Sequence, residues 1–282
     1  MLIKWSKPFL SLAVMGLLAW CLPSAYVDQW NLFNIKKIST MIFALAFIQI
    51  LGSFLNRTLG SRTGAILTGF FGGLVSSTAT TASLAKKSKV TSSASSSNEI
   101  LIFLSATFAM LIEGAILVWS GTQSLHFSTL IVFVGPLVLT SILIGVYTQK
   151  VNAKILQNED VSFQILPILK LSIFIISIIL LSKLLQNVFG QNGLMVLTFF
   201  VSLFEIHGSV IANVQLHENG VVPTTLLNSL LVISITSSYV SKLFLISTLG
   251  NKHLKSQAFK CSVFLFLSLC MSWLASISFS SL

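Results

Sequence analysis

Nine stretches of this chain are apolar enough to lie in a membrane, and that feature limits its fold more than any other. They run over approximately 8–23, 38–56, 63–85, 99–120, 128–147, 166–186, 193–216, 224–247 and 256–279. A helix that crosses a bilayer needs about 20 mostly apolar residues, and most of these stretches meet that length. Only 9% of the residues are charged and the mean hydropathy is +0.92, whereas a soluble domain carries about 25% charged residues. A soluble enzyme, a disordered chain and a nucleic-acid-binding module are excluded. The expected fold class is an all-α membrane protein forming a single membrane domain over 1–282. No loop is long enough to fold into a soluble domain.

The basic excess, 17 Lys+Arg against 7 Asp+Glu, falls mostly in loops between apolar stretches. It therefore reads as membrane orientation and not as a nucleic-acid surface. Lys4 and Lys7 precede the run from Phe9 to Leu22, which ends at Pro23. That pattern fits a signal peptide or a first spanning helix. The uncleaved helix is the expectation, because the remaining chain needs the membrane anyway. Cys21, Cys261 and Cys270 lie inside apolar stretches without metal-ligand spacing, so buried inert thiols are expected.

Two of the nine stretches are unusual. Residues 63–85 carry Gly64, Gly69, Gly72 and Gly73, then a Ser/Thr run; residues 193–216 hold Glu205, His207 and Gly208 mid-stretch. Both belong to an internal repeat. NRTLGSRTGAILTGFFGGL (56–74) resembles QNVFGQNGLMVLTFFVSL (186–203), with Gly60 matching Gly190. Each unusual stretch has one apolar stretch before it and two after. The repeat units are therefore 38–147 and 166–279, with 8–23 as an extra N-terminal helix.

Charge counting selects a topology. If all nine stretches span, the loop cations divide evenly. One side holds Lys4, Lys7, Arg57, Arg62, Lys183, Lys252, Lys255 and Lys260; the other holds Lys36, Lys37, Lys86, Lys87, Lys89, Lys150, Lys154 and Lys170. An even split breaks the positive-inside rule. If both unusual stretches instead enter and leave on one side, only Lys36, Lys37 and Lys183 remain outside. Making only one re-entrant gives a weaker bias. The expectation is about seven spanning helices plus two re-entrant or broken segments. The two repeat units are then inverted, a plan that recurs in secondary transporters, and the N-terminus is cytoplasmic. Gly72-Gly73 and Gly208 are the expected break points.

The candidate site follows from these segments. Ser76, Ser77, Thr78, Thr80 and Thr81 would form a polar tip, a hydroxyl capping a half-helix that starts inside the membrane. Alternatively Gly69, Gly73, Ser77 and Thr81, four residues apart, form a small-residue packing ridge. Glu205 is an intramembrane acid, costly enough to be functional by default. With the chain broken beside it, Glu205 and His207 could both face one site as proton carriers or cation ligands. His207 alone reads equally as a hydrogen-bonded interior histidine. Glu113 and Lys242 hold similar places in the two units, as pathway charges, or as a structural pair or snorkelling lysine. In the inverted arrangement they lie on opposite sides of the midplane, which disfavours contact. The two tips are expected to approach each other. No enzyme motif, metal-ligand spacing or cofactor signature is present.

At these residues the chain resembles a bacterial membrane family that often follows an MgtC/SapB-type N-terminal domain. GFFGGLVSSTATTASLAKKSK (69–89) resembles the family's glycine-rich motif, G-G-x-V-S-S-T-A-x-T with a basic turn. LPILKLSIFIISIILLSKLLQNVFGQNG (166–193) resembles the approach to its second motif. That second motif usually carries two aspartates, matched here by Glu205 and His207. A basic residue common near position 113 is an acid here. An Asn that follows in the family is not found in ISITSSYVSK (233–242), although Lys242 matches. The resemblance implies a multi-pass protein of the bacterial inner membrane.

The function expected is a secondary transporter or ion-permeation protein with a polar site at the midplane, not an enzyme. The other reading is a non-transporting regulatory or assembly protein acting through a partner. The expected partners are the lipid bilayer, a small ion or solute, and either a second copy or a separate MgtC/SapB-like chain. No nucleic acid and no cofactor are expected.

Overall fold

The computed structural model describes residues 3–23, 34–59, 64–89, 96–122, 127–149 and 165–280. The candidates Gly60 and Arg62, and the loop lysines Lys150 and Lys154, lie outside them. The described residues fold into helices α1 (Ile3–Cys21), α2 (Ile35–Leu59), α3 (Ala65–Ser88), α4 (Ser96–Gly121), α5 (Phe127–Thr148), α6 (Ile165–Phe204), α7 (Ile206–Glu218), α8 (Thr224–Leu249) and α9 (Lys252–Ser280). Six helical segments are long and apolar enough to cross a membrane. The protein is an all-α, multi-pass membrane protein. Large apolar side chains such as Phe244, Phe259, Phe264 and Met271 face outward, where only lipid gives them an apolar surrounding. Cys21 is exposed among them, contrary to expectation, while Cys261 is buried.

Length and composition alone would let α3 span, but its path forbids it. Ser76 has extended dihedrals, φ −169° and ψ 105°, in the middle of the helix. A β-carbon placed on Gly72 would lie 2.9 Å from the Thr80 hydroxyl oxygen. Eight residues of straight helix rise about 12 Å, so the chain has doubled back at Ser76. The first arm also runs parallel to α4. Gly69 abuts Ile102 and Ser105, and Gly73 abuts Ala106 and Ala109. Gly64 therefore lies at the level where α4 begins, and α3 leaves on the side it entered.

The second unusual stretch does the same from the other side. Gly190, at φ +61°, interrupts α6 in a conformation that favours glycine. The chain breaks again at Glu205, whose dihedrals are φ −147° and ψ 95°. The Thr198 hydroxyl then lies 3.3 Å from Asn213 Oδ1, although 15 residues of straight helix would separate them by about 22 Å. At the open end of this hairpin the Gln186 amide donates to the Val221 carbonyl at 3.2 Å.

Contacts at the helix ends sort the loops onto two faces. Asn251 donates its backbone N–H to Ser88 Oγ at 2.9 Å and its side-chain amide to the Ser88 carbonyl at 2.8 Å. The Lys89 ammonium reaches the Thr248 carbonyl at 3.3 Å. Lys86, Lys89 and Lys252 thus share one face, the basic face. On the opposite face Lys37 pairs with Glu218 at 2.6 Å. These contacts agree with two oppositely entering hairpins and disagree with nine consecutive spans, which would put Ser88 and Asn251 on different faces.

The breaks are not at the expected glycines. They fall at Ser76 and Glu205, two residues whose side chains can cap a helix. The glycines pack instead: Gly69 and Gly73 lie on the α4 backbone, Gly72 admits Thr80, and Gly208 is buried in the first turn of α7. The four-residue ridge is not continuous either, because the break puts Gly69 and Gly73 on one arm and Ser77 and Thr81 on the other.

Two measurements follow from this geometry. With the three native cysteines replaced by serine, Lys86→Cys and Lys252→Cys are expected to react with an impermeant thiol reagent from one face, and Asn192→Cys from the opposite face. Gly73→Ala, whose β-carbon would fall 2.6 Å from Ala106 Cα, is expected to destabilise by about 1–3 kcal/mol in detergent unfolding. Gly145→Ala, with open space around it, is expected to be neutral.

Candidate functional site

Both break residues act as helix caps. Ser76 Oγ accepts from the Ala79 backbone N–H at 3.2 Å, and Glu205 Oε1 accepts from the His207 N–H at 3.2 Å. Each side chain satisfies a donor that lipid would leave bare, which is what a helix beginning inside a bilayer requires. The Ser/Thr run divides around the first cap. Ser77 and Thr81 are buried and joined, the Thr81 hydroxyl donating to the Ser77 carbonyl at 2.7 Å. Thr80 turns toward Gly72, and Thr78 is half-buried.

Around the second cap the structure assembles three titratable groups. The imidazole of His207 stands between two carboxylates. Its Nε2 is 3.1 Å from Glu113 Oε2, and its Nδ1 is 3.3 Å from Glu205 Oε1. The side chain of Glu113 is fully buried, that of His207 nearly so, and that of Glu205 is 36% exposed. The Glu113–His207 contact has ion-pair distance without hydrogen-bond alignment, so neither Glu113 oxygen has a hydrogen-bond partner. His207 is thus not a simple interior histidine satisfied by one neighbour.

Lys242 completes the charge pattern. It is fully buried and does not snorkel. Its ammonium donates to Ser238 Oγ at 2.6 Å and contacts Met110 Sδ at 3.0 Å. Its charge interacts with that of Glu205. Met110 stands one turn before Glu113 on α4, so these side chains bridge the space between α4 and α8. Glu113 and Lys242 share this neighbourhood, but the ion-pair partner of Glu113 is His207.

Both tips meet the same helix. Gly73, near the first tip, rests on α4 at Ala106 and Ala109. His207 at the second tip meets α4 at Glu113, one turn further along, a rise of about 6 Å. Both hairpins pack on α4 and α8, and they share no extensive surface with one another. Among the described residues, Ser76, Ser77 and Thr78 share no hydrogen bond or ion pair with Glu205 or His207. Among those residues no cluster of three or more His, Cys, Asp or Glu side chains forms a metal site.

Residues 44–250 match the family described as a domain of unknown function, DUF4010. The chain belongs to this family. No curated protein and no solved structure matches it. Glu113 on α4 and His207 on α7 face each other across the site.

Sequence reasoning missed Met110 and Ser238, and a row of buried polar groups on α7 and α8. Ser209 and Asn213 are one turn apart on α7, as are Ser234, Ser238 and Lys242 on α8. That four-residue spacing of polar residues on apolar helices was the available signal.

Double-mutant cycles on unfolding are expected to separate the two pairings. Glu113→Gln with His207→Gln should couple by more than about 1 kcal/mol, and Glu113→Gln with Lys242→Met by less.

Proposed function

We propose that this protein is a secondary transporter, or a closely related ion-permeation protein, of the bacterial inner membrane. Its two repeat units are inverted, its basic face and N-terminus are cytoplasmic, and its ion site is the Glu113–His207–Glu205 cluster. One observation carries this reading: a fully buried carboxylate, Glu113, paired through His207 to a second acid, Glu205, at the point where the neighbouring helix is broken. Broken backbone inside a bilayer persists only when enclosed by protein or lining a wet cavity. Two acids buried together at that depth are costly without a task.

Several features support it. Two hairpins entering from opposite faces place helix N-termini and freed carbonyls at matching depths, as in transporters built from inverted repeats. Ser76 is about 17 Å from the start of α3, and Glu205 about 20 Å from the end of α7. α4 and α8, which carry Glu113 and Lys242, stand against both hairpins and would transmit a shift of one to the other. The second reading, a regulatory or assembly protein working with a second copy or a separate MgtC/SapB-like chain, draws only on the family resemblance.

The test is solid-supported-membrane electrophysiology on proteoliposomes, with jumps of H⁺, Na⁺, K⁺ and Mg²⁺. The wild-type protein is expected to give a current with at least one of them. Glu205→Gln is expected to give none while unfolding at the same temperature. Glutamine keeps the carbonyl that caps α7 and removes only the charge. Silence of the wild type to all four ions, or an unchanged current in Glu205→Gln, would refute the assignment.

A further inference from the structure

We propose that the ion handled by this site is the proton, and that His207 relays it between Glu205 and Glu113. The inference deepens the transporter reading and rests on it for its role in transport. Its basis is the geometry of the imidazole. Both ring nitrogens lie within 3.3 Å of a carboxylate oxygen. The ring fills the space between the acids that a bound metal ion would need. Na⁺ and Mg²⁺ are hard cations that collect several oxygen ligands, and an imidazole wedged between the two carboxylates that lie here among the described residues prevents that. An imidazole with an acid within reach of each nitrogen instead passes protons once a small turn of the ring aligns the contact.

The transfer balances as follows. Glu205, protonated, gives its O–H proton to His207 Nδ1 and becomes a carboxylate. His207 gives the proton on Nε2 to Glu113 Oε2, which becomes a carboxylic acid. One N–H forms and one breaks, so the imidazole ends neutral in its other tautomer, and a ring flip or the reverse transfer resets it. The two acids differ in burial. Glu205 is the less buried of the two, at 36% exposure, and Glu113 is fully enclosed, at 0%. The charged groups facing the relay are Glu113 from α4, Glu205 and His207 at the junction of α6 and α7, and Lys242 from α8. α2 meets α7 through Lys37, at the far end, on Glu218.

A polar route leads toward the relay from the face that carries Lys37 and Glu218. Ser209 and Ser234 lie 3.3 Å apart. Further out, Asn213 bonds Thr198 through its oxygen and leaves its amide nitrogen without a partner, and on α8 Asn228 has neither side-chain atom bonded. Buried amides without partners are costly in a closed core. At successive depths they are the groups that hold a file of water.

Infrared difference spectroscopy of the protein in nanodiscs tests the relay across a pH titration. A carbonyl band of a protonated buried carboxyl is expected to appear and vanish with pH and to be lost in Glu205→Gln or in Glu113→Gln. It should be indifferent to exchange of Na⁺ for K⁺ or addition of Mg²⁺. Solid-state NMR of the ¹⁵N-histidine wild type provides a readout free of folding effects: His207, assigned with His207→Gln, is expected to change ring tautomer over the same pH range. A carboxyl band displaced by Na⁺ at constant pH, or a His207 tautomer that never changes, would overturn the relay. If the band and tautomer titrate but no ion jump gives a current, the relay stands and the transporter reading falls. If Na⁺ jumps give current and Na⁺ displaces the band, the transporter stands and the relay falls.

Discussion

A helix that starts inside a bilayer must have its first N–H groups satisfied by the protein itself, and the architecture depends on how two such starts are satisfied. Lipid offers no hydrogen-bond partner, so an open break at mid-depth is prohibitive. At Ser76 a hydroxyl supplies the missing acceptor, and at Glu205 a carboxylate does. Each break is then enclosed by α4 and α8. Gly69 and Gly73 make the enclosure of the first arm close, since any side chain there would overlap the α4 backbone. The hairpins, the two-faced loop arrangement and the packing of α4 all follow from closing these two breaks.

The choice of a carboxylate for the second cap has a further consequence. A charge at that depth needs counter-charges, and the surroundings provide His207 and Lys242, with Glu113 as a second acid in the same neighbourhood. With His207 protonated the four groups sum to zero; with it neutral they carry one net negative charge. The cluster therefore gains or loses a unit charge for each proton bound or released, in a setting where an uncompensated charge is expensive. A structural role and a capacity to hold a proton thus reside in the same side chain. The first tip, capped by a neutral hydroxyl, carries no such charge.

Much of this was legible in the residues. Apolar length gave the membrane class, and the skewed placement of lysines pointed to two re-entrant segments, in agreement with the Ser88–Asn251 and Gln186–Val221 contacts. Glu205 and His207 stood out because polar residues are rare at such depth. The break points were misplaced because glycine is read as a breaker, whereas in lipid the stronger need is for a side chain that caps. Ser76 and Glu205 fill that need, and the glycines supply close packing. Met110, Asn213 and Asn228 were passed over because a thioether or a single amide on an apolar helix carries no local signal. Their importance comes from what faces them on another helix.

The sequence by itself determined that the chain is helical, membrane-embedded and twice interrupted, because apolar length, charge placement and breaks are properties of contiguous residues. Only the tertiary structure decided that Glu113, far from His207 in the chain, supplies the second carboxylate, and that Lys242 turns inward to Ser238 and Met110 instead of reaching a surface. It also decided that both tips rest on α4. Those outcomes depend on which helix faces lie together across the bundle, and side-chain pairing between helices is set by packing geometry that no local pattern encodes.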